Sequence, residues 1–215
     1  MKDIWLIRHG ESLSNTGKKT THPGTSVLTQ KGLLQARCIA SCVEGKPDII
    51  IHSAYTRAWQ TAEPAIQKFP DSIVQEWPVQ EFVYLSHVRY METTKADRRV
   101  DVDLYWDECN PVRKDSADAE SFAEFIDRVE MIAEKLTRNE GRIMMFTHGH
   151  VIRAMLWRVL TGRLQKDKAA MAQYRSLRQA LYIPNAAILK ISVDAMDEVW
   201  MSPLITAHLT PELMS

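Results

Sequence analysis

The sequence predicts an α/β fold: a three-layer α/β/α sandwich whose central sheet is mostly parallel and carries helices on both faces. Three observations lead there. Short apolar runs rich in β-branched residues alternate along the chain with longer segments of helical period, the order that builds parallel sheets. Those runs are apolar throughout rather than alternating, as strands covered on both faces must be. The 215 residues, 45% hydrophobic and 25% charged, can bury about 70% of the surface that the unfolded chain exposes. No internal repeat, low-complexity tract or linker interrupts the pattern, so a single domain over residues 1–215 is expected.

The first strand is Ile4-Trp5-Leu6-Ile7, stopped by Gly10. A helix follows from an N-cap at Thr29, with Leu33, Ala36, Ala40 and Val43 at helical spacing and Gly45 as its stop. Asp48 to His52 reads as a second buried strand. Ala58, Thr61, Ala62, Ala65 and Ile66 mark a helix that Pro64 should kink. From Glu76 to Asp118 there is no clean period, and an irregular insertion covering the substrate is expected there. Phe122, Phe125, Ile126, Val129, Ile132, Ala133 and Leu136 form the clearest helical stripe, opened by the acidic stretch Asp118-Ala119-Glu120 and ended by Gly141. Arg142 to Thr147 is a third buried strand, followed by a helix through Val151, Met155 and Leu160. Strands near Ala187–Val193 and Val199–Met201 complete the sheet.

Twenty-seven basic residues balance 27 acidic ones. No global field draws the chain to nucleic acid or to a membrane surface, so any attraction for anions must be local. Three cysteines, Cys38, Cys42 and Cys109, are too few for a disulfide framework and point to a reducing interior. Neither a signal peptide nor a spanning segment is visible, and a cytoplasmic location is the expectation.

In an open parallel sheet, ligands bind beyond the carboxyl ends of the strands. The first strand delivers Arg8-His9-Gly10-Glu11-Ser12 with Asn15 close behind. The second delivers His52-Ser53 and, a turn later, Arg57; the third delivers Thr147-His148-Gly149-His150. Guanidinium forks match phosphate oxygens, and the free N–H groups at the start of the helix that follows Gly149 favour an anion. These loops together should hold a phosphoryl group.

The residues also resemble a known family. LIRHGES, Leu6 to Ser12, is similar to the hallmark of the histidine phosphatase superfamily, the phosphoglycerate-mutase-like proteins. So are Leu28-Thr29 with Gly32, Gln35 and Ala36; Ser53 with Arg57, Ala58, Gln60, Thr61 and Ala62; Glu120-Ser121-Phe122 with Arg128; and Thr147-His148-Gly149. Pro184-Asn185-Ala186 and Ala207-His208-Leu209 are weaker matches. A lone RHG would mean little, but ordered motifs along the chain are specific.

The resemblance implies a covalent mechanism. His9 would attack phosphorus as the nucleophile, while Arg8, Arg57 and a protonated His148 neutralise the phosphoryl oxygens. Glu81 stands at the position of the general acid and would need a raised pKa. Asn15 is a candidate phosphate contact and Ser12 a supporting hydrogen bond, both counted with Gly149 among the substrate-binding residues. His22, with Tyr84, Arg89, Tyr90, Arg98 and Arg99, lies where it could touch the rest of the substrate. No metal and no cofactor is called for: the His148/His150 pair lacks further ligands, and histidine and arginine supply the positive charge. The expected partner is a small-molecule phosphate monoester, with a homodimer left open.

Glu81-Phe82 is more like the phosphatase branch than the mutases, and little tail follows His208 to close over an intermediate. Phosphomonoester hydrolysis is therefore the leading expectation, with phosphomutase activity as the alternative. A non-catalytic phospholigand or protein-binding module is the alternative of another class, although a binder needs arginines and no nucleophile.

Overall fold

The structure, a computed structural model, describes residues 2–19, 22–196 and 198–214. Its elements in chain order are β1 (Lys2–Arg8), α1 (Gln30–Cys42), β2 (Ile49–His52), α2 (Thr56–Lys68), β3 (Ile73–Glu76), α3 (Arg99–Glu108), α4 (Phe122–Thr137), β4 (Gly141–Thr147), α5 (Gly149–Thr161), α6 (Lys168–Ala180), β5 (Ile188–Val193) and β6 (Val199–Met201), with short 3-10 turns at Leu13–Asn15 and Pro211–Leu213. They build one six-stranded sheet in the order β3-β2-β4-β1-β5-β6. β3, β2, β4 and β1 run parallel, whereas β5 and β6 are antiparallel additions at one edge.

The strands are apolar on both sides because both sides are covered. Ile4, Leu6, Ile49, Ile51, Ile143 and Met145 pack with residues of α3, α4, α5 and α6. Their neighbours Trp5, Ile7, Ile50, Met144 and Phe146 pack on the other face with α1 and α2. The period-two alternation of a strand thus divides each run between two cores. The sandwich expected from the sequence is the one found. Among the described residues no helix is long and apolar enough to cross a membrane.

Several local expectations change. α1 takes its N-cap from Thr29, whose hydroxyl accepts the Gly32 N–H, but ends at Cys42, before Gly45. α2 runs on through Pro64 to Lys68, so the proline forfeits one helical hydrogen bond without ending the helix. The cap of α4 is Ser121, in a reciprocal box with Glu124. The acidic stretch before it is used elsewhere: Asp118 holds His87 at 2.8 Å and Glu120 holds Arg128. Gly141, expected to stop α4, opens β4 with φ +80°. The segment expected to be irregular contains α3, and two further elements, β3 and α6, have no counterpart in the sequence reading.

Two motif glycines have a steric reason. A Cβ on Gly10 would stand 2.6 Å from the Gly32 carbonyl oxygen, and one on Gly32 would stand 2.0 Å from that of Glu11. The loop after β1 therefore crosses the first turn of α1 at backbone contact, which only two facing glycines allow.

Candidate active site

β2, β4 and β1 are parallel neighbours in register, with His52 beside Phe146 and Thr147 beside Arg8. Their carboxyl ends stop at one level, and the loops carrying His9, Ser53 and His148 leave the sheet together. Arg57, in the first turn of α2, turns back over them.

The hydrogen bonds determine both imidazole tautomers. Arg57 donates from Nε to His9 Nε2 at 3.0 Å and from Nη2 to His148 Nδ1 at 3.2 Å. A guanidinium has only donors, so both ring atoms are acceptors and the remaining nitrogens carry the protons. His9 Nδ1–H then donates to Gly10 O at 2.7 Å, and His148 Nε2–H to Ser53 Oγ at 3.0 Å. The ring centroids lie 5.0 Å apart. Arg57 also donates to Pro23 O at 2.5 Å and lies 4.9 Å from the Tyr55 ring centre.

Burial, then the neighbouring Arg57 and Arg8, hold the His9 pKa well below its ordinary value. Burial, Arg57 and His9 do the same to His148. Both rings are therefore neutral at neutral pH. That suits a nucleophile at His9; a protonated His148 would need the field of a bound anion. Burial likewise lowers Arg57, to about 10, against the pull of Glu81, so it stays cationic.

Glu81 also departs from expectation. Burial alone would raise its pKa, but His150, Arg57, the His150 backbone N–H and Arg8 together hold the carboxyl below its ordinary value. Its Oε1 accepts from the N–H groups of Phe82 at 3.2 Å and His150 at 3.0 Å. Oε2 shares a space with Arg8 Nε and Arg153 Nη1: from the point where a Gly149 Cβ would stand, they are 3.9, 3.8 and 3.1 Å away. Arg8 Nη1 donates to Ile183 O, and its buried Nε has no partner among the described residues.

These groups open onto a cavity of about 1120 Å³, larger than a phosphate requires. Arg8, His9, Asn15, His22, Arg57, Glu81 and Gly149 line it. His148 does not; it is fully buried and reaches the cavity only through Arg57 and His9. Ser12 is also fully buried, donating from N and Oγ to Asn15 Oδ1 at 3.0 and 2.9 Å. Its place is beneath Asn15, supporting it, rather than against a substrate. Because Asn185 also donates to Oδ1, the Asn15 amide N–H is the group left for a ligand. Tyr84, Tyr90, Arg98 and Arg99 line the wall, whereas Arg89 is mostly exposed and engages Asp115 at 3.3 Å.

Among the cavity residues that sequence reasoning missed are Lys95, Arg153, Arg178 and Tyr182. Arg153 was within reach, since it lies four residues past Gly149 and shares its helix face. It also missed what the Glu120…Arg128 pair does. Arg128 grips Glu120 with two bonds of 2.7 Å and donates to Pro78 O and Gln80 O at 2.9 and 3.0 Å. That clamp, with Thr147 Oγ1 on Val79 O at 2.6 Å, holds the segment that presents Glu81. Among the described residues no three His, Cys, Asp or Glu side chains stand together as a metal site.

The α/β sandwich thus gathers two imidazoles, two guanidinium groups and one carboxylate at its strand ends. The chain belongs to the histidine phosphatase superfamily (branch 1), whose family model matches residues 4–194. It is 30% identical over 166 residues to a protein of Hydrogenobacter thermophilus named "Putative phosphoserine phosphatase 2", covering 75% of this chain and 80% of that one. Among solved structures it resembles the phosphoserine phosphatase of Entamoeba histolytica in complex with 3-phosphoglyceric acid, with TM-score 0.71, 20% identity and coverage of 98% of this chain and 100% of that one. It also resembles the α-ribazole phosphatase of Shigella flexneri, with TM-score 0.71, 20% identity and coverage of 94% and 95%.

Proposed function

We propose that this chain hydrolyses phosphate monoesters through a phosphohistidine on His9. The observation that carries the reading is the His9 ring itself: Nδ1–H is committed to Gly10 O, so the Nε2 lone pair faces Arg57 in a buried cationic cluster at the cavity. Phosphatase relatives in the same superfamily support it.

In the first step His9 Nε2 forms a bond to phosphorus as the ester P–O bond breaks. Arg8 and Arg57 bind the phosphoryl oxygens, and Arg57 exchanges its contact with Nε2 for one with the substrate. Glu81 Oε2 delivers a proton to the departing alkoxide. A water then attacks phosphorus, Glu81 accepts its proton, and the P–N pair returns to Nε2 as inorganic phosphate leaves.

Glu81 must start this cycle protonated, although the empty field of Arg8 and Arg57 ionises it. A phosphate dianion cancels that field while burial remains, so substrate itself raises the Glu81 pKa. The same anion draws a proton toward His148. The segment 81–103 supplies a wall over the bound substrate, and the residues after β6 pack against α1 through Gln35 Nε2 on Leu213 O at 2.6 Å.

The test is phosphorylation with a labelled phosphodonor. Wild-type protein should carry acid-labile, alkali-stable label and release inorganic phosphate from p-nitrophenyl phosphate. His9→Ala should do neither. Turnover by His9→Ala at the parent rate would refute the covalent mechanism.

A further inference from the structure

The cavity carries more positive charge than one phosphate neutralises. Among the described residues its wall holds eight lysine and arginine side chains against two carboxylates, Glu81 and Asp103, in a chain of zero formal net charge. Asp103 is taken up by Arg99 at 3.8 Å. With a phosphate dianion in place and Glu81 protonated, Arg8 and Arg57 balance its charge. Arg153 and Arg178 then leave two positive charges unmatched, and Lys95, from the segment 81–103, adds a third.

Arg153 and Arg178 stand on one wall. Arg153 projects from α5 one turn beyond Gly149, with Nη1 in the space shared by Arg8 Nε and Glu81 Oε2. Its Nε donates to Leu181 O at 2.8 Å, which fixes the fork beside the end of α6. Arg178, in the last turn of α6, places its guanidinium 5.0 Å from the Trp106 ring centre. Neither has an ion-pair partner within 4 Å among the described residues. Arg178 is close enough to lower the Arg153 pKa, after burial and against the pull of Tyr174 and Glu81.

His150 completes the wall. Tyr174 donates its hydroxyl proton to His150 O at 2.9 Å, so His150 Nδ1–H must donate to the Tyr174 oxygen at 3.0 Å. Nε2 is then an acceptor on a ring that lines the cavity. Burial, against the pull of Glu81 and with Arg153, Arg178 and Arg8 adding to it, lowers the ring to about 4, so it adds no charge at neutral pH.

We propose that Arg153 and Arg178 form a subsite for a second anionic group, a carboxylate or phosphate on the leaving part of the ester, with His150 Nε2 accepting from a hydroxyl beside it. The proposal rests on the hydrolase reading above and names its substrate class: small phosphate esters that bear a further anion.

The experiment compares kcat/KM for 3-phosphoglycerate, propane-1,3-diol bisphosphate and glycerol 3-phosphate, which differ in whether the second group is a carboxylate, a phosphate or an uncharged hydroxyl. At least one of the first two should exceed glycerol 3-phosphate by tenfold or more, and the larger ratio identifies the anion. Arg178→Met should cut the preference below threefold, chiefly through KM, and Arg178→Lys should keep most of it. Equal turnover of all three, or a preference that survives in both Arg178→Met and Arg153→Met, overturns the subsite. If no ester is hydrolysed, the hydrolase reading falls instead. Calorimetric binding of 3-phosphoglycerate and the bisphosphate against glycerol 3-phosphate then decides the subsite alone, a tenfold difference in Kd supporting it and equal affinity overturning it.

Discussion

Replacing His150 by glutamine should remove a defined part of the protein's sensitivity to acid. An unfolded histidine titrates near 6.5, whereas burial and the cationic wall hold His150 at about 4 in the folded chain. Below pH 6.5 the unfolded state therefore binds a proton that the folded state refuses. The linkage gives stability that is complete above 6.5 and lost as pH falls toward 4. Between pH 7.5 and 5.5 one such histidine costs about 1.4 kcal/mol, the value of one pKa unit. His9 and His148 are depressed the same way, so they add to the loss in the same direction. The Glu81 carboxyl titrates below this window. Urea unfolding followed by tryptophan fluorescence in phosphate-free buffer, at both pH values, measures the loss. His150→Gln should lose about 1.4 kcal/mol less than wild type over the two units, whatever its stability at pH 7.5. An identical loss in both proteins would mean that His150 is charged in the fold, and the tautomer assignment built on Tyr174 would fail with it.

Glu81→Gln should lower kcat for alkyl phosphates by about 10²–10⁴ and slow p-nitrophenyl phosphate far less, because nitrophenolate leaves without a proton; an equal loss on both would deny Glu81 that role. Ser53→Ala strands the His148 Nε2–H in the interior, at a cost of about 1–3 kcal/mol visible in the urea midpoint, and an unchanged midpoint would show that the bond does not hold the ring. Gly32→Ala drives a methyl into the Glu11 backbone, with a cost of about 1–3 kcal/mol or more and a drop in Tm of about 2–4 °C for each kcal/mol; an unshifted Tm would place the loop farther from α1. Activity should persist in EDTA, and its loss with rescue by zinc would make the His148/His150 pair a metal site.

What stayed hidden from the sequence did so for identifiable reasons. α6 buries only Ala170, Met171 and Tyr174, a stripe whose alanine carries little hydrophobic signal. α3 reads Val-Asp-Val-Asp in strand period and buries the adjacent pair Tyr105 and Trp106, so no 3.6-residue repeat announces it. β3 is a four-residue edge strand with three exposed positions. Arg178 and the far wall of the cavity lie on these elements or face them, so they could not be assigned to the site beforehand.

The central strands β1, β2 and β4, their burial on both faces and the gathering of Arg8, His9, Arg57 and His148 were determined by the sequence alone. Runs of apolar residues admit few packings, and parallel strands must end on one edge. The protonation of the site was decided only by tertiary structure. Whether His148 is charged, whether Glu81 holds a proton and which nitrogen of His9 is free depend on how many cations stand within a few ångströms and how much water is excluded. Both are sums over groups distant in sequence, and no local pattern encodes them.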